Sequence, residues 1–419
     1  MSQLAENIIK KWWATPLPQI TKRDIDLMAW HNIKVKKIIS LVGFRRVGKT
    51  YIFLDFAGKI GQQNTLYINF EDERIPKKTS FLTDVIDTLA EMSGNKPYTL
   101  LMDEIQNIPD WSSWARRIIE TTDHQLFITG SSSKLSSYEL PTALRGRSIT
   151  IEAKPLNFRE FLRFKKLNFD ILPQTEQLGL TREYLTYGSF PEVALVDEGK
   201  KSLIINEYYN TFVSRDLIDR HKIRKIELLN SLIKVLLNSP HYTISGLTKS
   251  LISMGFDTGK ATILRYLSYL QESYFLKTLE LHTPSIKKRG KAPKKPYFID
   301  NAFLFNHSTE FSNNFGRLME NLVSNNLSNS YYWQNYAGKE IDFVIREKEV
   351  NKSLIQVSYA TTLTEIKARE IDNLIIGSKI LNCVSLVLIT WNVKDVLKKG
   401  TQTIQLIPLY EFLRRPTML

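Results

Sequence analysis

One cysteine, Cys383, stands in a chain of 419 residues. An internal disulfide and a cysteine-based zinc site are therefore both excluded. Histidine is scarce too. The six present are scattered and never form an HExxH pattern, which removes a common zinc-hydrolase arrangement. No apolar run reaches the length of about 18 residues that a bilayer-crossing helix needs. The first residues carry Lys10, Lys11, Trp12 and Trp13 in place of the apolar core of a secretion signal. A cytoplasmic protein with no membrane partner is expected.

Acidic residues are outnumbered, with 43 Asp and Glu against 57 Lys and Arg and a formal net charge of +14. That surplus favours a polyanionic partner, most often nucleic acid. The rest of the composition is that of an ordinary globular protein, 43% hydrophobic and 24% charged. The length suggests roughly two to four domains, each able to bury a core.

The first 155 residues alternate short apolar runs with segments of helical spacing. The runs are Lys37–Val42, Thr65–Phe70, Thr99–Met102 and Gln125–Thr129. Short buried strands alternating with helices imply a parallel sheet in an α/β domain. Such folds place their chemistry at the carboxyl ends of the strands. Trp111, Trp114 and Ile118 fit one helix face and are expected in the core.

Directly after the first run comes Gly43-Phe44-Arg45-Arg46-Val47-Gly48-Lys49-Thr50, a GxxxxGK[ST] phosphate loop between strand and helix. Its glycines let backbone N–H groups turn toward phosphate oxygens. The helix that begins near Lys49 adds its positive end. Lys49 is expected on the β- and γ-phosphates of ATP, and the Thr50 hydroxyl on Mg2+. The third run ends in Asp103-Glu104. Asp103 is expected to hold magnesium through water, and Glu104 to polarise the attacking water. After the fourth run, Thr129-Gly130-Ser131-Ser132-Ser133 offers a γ-phosphate sensor, with Ser131 the candidate. Further on, Leu144-Arg145-Gly146-Arg147-Ser148 offers an arginine for a neighbouring subunit's γ-phosphate, with Arg147 favoured over Arg145.

Together, GFRRVGKT, LYINFED, LLMDEIQ, ITGSSSKLSS and LRGRSITIEAKPLNFREFL resemble the prokaryotic AAA-type P-loop ATPase family of archaea and bacteria. The resemblance continues through Tyr187-Gly188-Ser189-Phe190-Pro191 into the C-terminal half. It implies ATP hydrolysis with magnesium and a homo-oligomer, such as a ring of about six subunits.

Beyond the core, residues 156–220 read as a helical extension and junction. Residues 221–300 read as three helices and a hairpin, which resemble a winged helix. Its third helix would present Lys260, Thr262 and Arg265 to a major groove. The hairpin tip, Ile286–Lys295, holds Lys287, Lys288, Arg289, Lys291, Lys294 and Lys295 and no acid. Cations on such a loop neutralise phosphates without reading sequence. In residues 301–419, a helical Glu320, a strand Asp342, and Gln356 and Ser358 on the next strand resemble the PD-(D/E)xK nuclease layout. In active members carboxylates bind magnesium and a lysine helps activate water. Here Gln356 replaces the acid and Ser358 the lysine, so an inactive nuclease-like domain is expected.

The expected fold class is thus α/β: a P-loop AAA-type core with a parallel sheet, a winged helix and an α/β nuclease-like domain. The expected function is ATP hydrolysis coupled to work on DNA, with branched or junction DNA as one form. Two other readings stay open. One is a nucleotide-controlled protein-interaction or defence ATPase. The other is an ATP-regulated nuclease.

Overall fold

The four apolar runs of the first 155 residues form largely buried strands, and a fifth, half-exposed strand joins them. Strand β1 is Ile38–Val42, β2 is Thr65–Asn69, β3 is Thr99–Asp103, β4 is Gln125–Gly130 and β5 is Ser148–Glu152. Every residue of β1 and β3 is buried, as a covered parallel sheet requires. The order is β2-β3-β4-β1-β5, and every pairing is parallel. Helices Lys49–Ile60, Thr79–Ser93 and Trp111–Thr121 make the crossovers. Trp111, Trp114 and Ile118 are buried as their spacing predicts. A further helix, Gln3–Ala14, docks at β2, where the indole N–H groups of Trp12 and Trp13 both donate to the Thr65 carbonyl, at 3.0 and 3.1 Å. The order brings the carboxyl ends of β1, β3 and β4 together, and the sequence motifs follow those three ends.

The computed structural model describes residues 2–94, 96–130, 144, 146–309 and 314–415. Residues 1–155 with 272–274 form one compact unit, and residues 156–271 with 275–419 form a second. The second unit thus joins the segments that the sequence divides at 220 and 300.

It opens with helices Phe158–Phe164, Gln174–Tyr187 and Glu198–Thr211. Three more follow, Ile226–Leu237, Ile244–Ser253 and Lys260–Glu272, and then an antiparallel hairpin of β6 (Leu276–Leu279) and β7 (Lys295–Phe298). Tyr242, between the first two of these three helices, bridges to Lys294 through two backbone hydrogen bonds of 2.8 Å. The basic run is not one open loop. Residues Ile286–Lys291 form a short helix capped by the Ser285 side chain, and Lys295 is already the first residue of β7.

The chain continues with helix Phe315–Asn326, then β8 (Ser330–Gln334), β9 (Glu340–Glu347) and β10 (Val350–Val357). Helix Ala368–Leu381 leads to β11 (Leu386–Thr390), followed by β12 (Asp395–Lys399) and β13 (Gln402–Pro408). The sheet order is β12-β13-β11-β10-β9-β8, with β8, β9 and β10 antiparallel and β11 parallel to β10.

The Tyr187–Pro191 stretch is a structural joint of this unit. Ser189 donates to the buried Asp300 from its backbone N–H at 2.8 Å and its hydroxyl at 2.7 Å. Gly188 has φ +74°, and a Cβ there would lie 1.5 Å from Asp300 Oδ1, so only glycine fits. Burial pushes the Asp300 carboxyl up to about 6, against the hydrogen bonds that pull it down. No described helix is long and apolar enough to cross a membrane.

Candidate functional site

The phosphate loop is built by β1 and the helix that follows it. Gly43 passes so close to β5's exit that a Cβ would meet the Ala153 carbonyl oxygen at 2.1 Å. Gly48 takes a left-handed conformation and caps helix Lys49–Ile60. Arg46, at φ +66°, shares that region without being glycine. Phe44 and Val47 are buried and fix the loop to the core. Lys49 is 6% exposed, and its ammonium donates to the carbonyls of Gly43 and Phe44 at 3.1 Å each. Arg45 pairs with Glu71 at 3.6 Å. Arg23 braces the loop from outside the motif, donating to the Val47 carbonyl at 2.6 Å and the Lys154 carbonyl at 2.8 Å.

The acidic end of β3 sits beside this loop. Asp103 is 1% exposed and gathers three hydroxyls. Thr50 donates to Oδ2 at 2.7 Å, Tyr67 donates to the same oxygen at 2.9 Å, and Thr129 donates to Oδ1. Burial pushes the Asp103 carboxyl up and Glu104 adds to the rise, while the three hydroxyls pull it back. Burial and Asp103 likewise raise the Tyr67 phenol, so it stays protonated as a donor. Glu104 follows at φ +53° and is 8% exposed. Its backbone N–H donates to the Thr129 hydroxyl at 3.0 Å, and its carboxylate accepts from Gln106.

The structure therefore brings Lys49, Thr50, Asp103 and Glu104 together. It adds Tyr67, Thr129 and Arg23, which sequence reasoning did not select. Thr129 carried a signal, being a polar residue at the end of the strand next to β3. Tyr67 and Arg23 carried none, because their reach across the fold depends on packing. Ser131 and Arg145 lie outside the described residues. Arg147 pairs with Glu120 at 2.7 Å. Its carbonyl accepts from Ile38 at the start of β1, so it sits at the opposite end of the sheet from the phosphate loop.

A second cluster lies in the other unit. Glu320, on helix Phe315–Asn326, and Asp342, on β9, converge on the Lys295 ammonium, and Gln356 joins Asp342 from β10. The Gln356 amide donates to Asp342 Oδ2 at 2.7 Å, and the Val357 N–H donates to the same oxygen at 3.0 Å. Ser358 follows β10 and is buried, and its N–H donates to the Ile389 carbonyl. The positive charge comes from elsewhere. Lys295, expected among the phosphate-binding cations, is 2% exposed. Its ammonium meets Glu320 at 2.9 Å, Glu340 at 2.7 Å and Asp342 at 2.9 Å. As the first residue of β7 it points into the fold, which removes it from any DNA surface.

Tyr297 donates to Glu320 at 2.5 Å, and Arg317 stands 3.6 Å from the same oxygen. Burial pulls the Lys295 pKa down, but Asp342, Glu320 and Glu340 hold it well above the ordinary lysine value. Burial pushes Glu320 up, and Lys295 and Arg317 outweigh it, leaving Glu320 at about 2. Burial pushes Asp342 up to about 6 against the pull of Lys295.

The other basic candidates divide by exposure. Lys260, Arg265, Lys287, Lys288 and Lys291 are exposed. Lys288 lies 4.5 Å above the ring of Tyr336, itself 98% exposed. Lys294 pairs with Glu280 at 2.8 Å. Arg289 is half-buried, donates to the Thr283 carbonyl at 2.8 Å and lies over the Tyr331 ring.

Comparison with known proteins assigns an AAA domain to residues 35–162. Residues 179–314 match a domain of unknown function (DUF8612), and residues 315–412 match another (DUF4143). The chain is 33% identical over 418 residues to the uncharacterized protein MJ1544 of Methanocaldococcus jannaschii, covering 94% of this chain and 91% of that protein. An uncharacterized protein of Haemophilus influenzae is 28% identical over 352 residues, covering 81% of this chain and 85% of its own length. Among solved structures, the Walker-type ATPase PABY2304 of Pyrococcus abyssi is similar at 14% identity with a TM-score of 0.44, over 69% of this chain and 98% of that one. The Aeropyrum pernix ORC1 protein, solved in complex with DNA, is similar at 14% identity with a TM-score of 0.31, over 74% of this chain and 92% of that one.

Proposed function

This chain belongs to the AAA-type ATPase family that includes MJ1544, and on that premise we propose that it binds ATP with magnesium, hydrolyses it, and couples hydrolysis to work on DNA in the cytoplasm. One observation carries the hydrolytic half: the buried Asp103 gathers the hydroxyls of Thr50, Tyr67 and Thr129 beside Glu104. A hydroxyl and a carboxylate are the oxygen donors that magnesium takes, so Thr50 and Asp103 would hold it. Bound there, the ion supplies neutralisation of phosphate charge. The backbone of residues 43–48 cradles the phosphates. Lys49 moves its ammonium from the Gly43 and Phe44 carbonyls to the β- and γ-phosphates. Glu104 orients the attacking water and draws its proton. Ser131 senses the γ-phosphate. A role for Arg147 in hydrolysis requires a neighbouring subunit's site, since its own phosphate loop is at the other end of the sheet. That role calls for a homo-oligomeric ring.

The DNA half rests on the net charge of +14 and on the exposed cations of the three-helix and hairpin region. We read that region as a winged helix, with Lys260 and Arg265 on its third helix. We read the helix, three antiparallel strands, helix and parallel strand of residues 315–390 as a PD-(D/E)xK-like plan used for contact without cutting. The test is phosphate release measured with and without single-stranded, duplex and four-way-junction DNA. Glu104→Gln should retain ATP and lose at least about 10²-fold in turnover. ATPase activity indifferent to every DNA, with no DNA bound at low salt, would refute the second half alone.

A further inference from the structure

The carboxylate cluster of the second unit raises a question that the nuclease-like plan cannot answer by itself. On that plan the cluster would hold a divalent cation. The residues present do not fit one. The point where the three acids converge is taken by the Lys295 ammonium, 2.7–2.9 Å from an oxygen of each. Several of the remaining lone pairs are also engaged. Asp342 Oδ2 accepts from Gln356 and from the Val357 N–H. Glu320 Oε1 accepts from Tyr297 as well as from Lys295. Glu340 Oε2 faces His241 at 3.3 Å and Gln334 at 3.4 Å. With Lys295 in place, no group of His, Cys, Asp and Glu side chains among the described residues is arranged to hold a metal ion.

We propose that Lys295 is the built-in cation of this centre, standing where a nuclease of this plan holds its metal, so that the domain needs no divalent ion to close its core and cannot cut DNA. This rests on the nuclease-like reading of the fold but not on the ATPase reading. Ser358 follows β10 with its N–H donating to the Ile389 carbonyl, whereas Lys295 on β7 reaches all three acids at once. Burial adds the energetic reason. Three carboxylates in a largely buried cluster repel one another, and a fixed ammonium neutralises them whatever the divalent-ion concentration. Removing one partner leaves uncompensated charge, so the cluster acts as a unit. The specific consequence is a latent ion site. Without the ammonium, three carboxylate oxygens surround one point at about the radius from which calcium, with oxygen ligands at about 2.3–2.6 Å, could be held after slight contraction.

The test uses the full chain without nucleotide, with Ca2+ binding read by isothermal titration calorimetry. Native protein and Asp342→Asn should bind Ca2+ identically, because the centre takes none. Lys295→Ala should gain one Ca2+ per chain, and Lys295→Ala with Asp342→Asn should lose it again. If Lys295→Ala folds only with divalent ion, restoration of its circular dichroism by Ca2+ supports the proposal in the same way. Ca2+ binding by native protein that Asp342→Asn abolishes would overturn it. So would a folded Lys295→Ala that gains no ion, or an unfolded one that Ca2+ does not restore while Lys295→Ala with Glu320→Gln folds. Loss of ATPase activity in these variants would not count either way, since the readout is the ion.

Discussion

Replacing Thr129 by valine removes one hydroxyl and leaves the side chain's shape nearly unchanged. Two buried groups lose a partner. Asp103 loses its donor on Oδ1, and the Glu104 N–H loses its acceptor at 3.0 Å. A hydrogen bond to a charged group contributes about 1.5–3 kcal/mol, and an unsatisfied buried N–H costs about 1–3 kcal/mol. Part of this falls on stability. The part that matters for turnover is the aim of Glu104, whose left-handed backbone is held by that N–H. If about 1.5–3 kcal/mol of positioning is lost in the transition state, turnover falls about 10- to 100-fold at roughly tenfold per 1.4 kcal/mol. The Thr129 hydroxyl is engaged with Asp103 and the Glu104 N–H, so ATP affinity should stay within about threefold. The assay is phosphate release at saturating ATP and Mg2+, paired with binding of a fluorescent ATP analogue. Ser131→Ala measured alongside separates the two candidate hydroxyls. Turnover of Thr129→Val within about twofold of native protein would refute the reasoning, and a large loss confined to Ser131→Ala would move the role there.

Replacing Lys287, Lys288 and Lys291 by alanine should weaken DNA binding about equally for all sequences. It should also lower the slope of log affinity against log salt by about 2.7, at about 0.9 for each phosphate that a lysine no longer neutralises. An unchanged slope in a salt titration would remove this helix from the interface. His307 stacks on Tyr209 at 3.9 Å, and burial pushes it down to about 4. A histidine held neutral in the fold and free to charge when unfolded contributes stability that is fully present above about pH 6.5 and shrinks as pH falls toward 4. After discounting for its partial exposure, native protein should lose about 1 kcal/mol between pH 7 and pH 5 relative to His307→Gln. Parallel thermal melts would contradict this.

The proposed ATP site was legible because its chemistry is local. A phosphate loop needs glycine where backbone passes backbone, and Gly43 against Ala153 shows that need in one distance. The carboxylate proposed for magnesium must end a buried strand, and Asp103 does. What the sequence concealed is what reaches the site from a distance. Tyr67 sits in β2, with β3 beside it, and nothing in its own neighbours distinguishes it from a core tyrosine. Arg23 lies far upstream of the loop that it braces. Such residues are chosen by three-dimensional packing, and one sequence carries no trace of it.

Lys294 and Lys295 show the same limit in its sharpest form. Adjacent in a run of six cations, they read as equivalent phosphate contacts. Extended backbone separates them, Lys294 in its bridge to Tyr242 and Lys295 opening β7. Successive side chains on a strand point to opposite faces, so a shift of one residue exchanges inside for outside. Lys294 pairs with Glu280 at the surface, while Lys295 enters a pocket of three acids. The charge run concealed that alternation because both faces carried lysine. The apparent gap at Ser358 was therefore a gap in one strand only. The carboxylates Glu320 and Asp342 were singled out by the nuclease resemblance, but not the cation between them, because their closeness and the inward turn of Lys295 exist only in the fold.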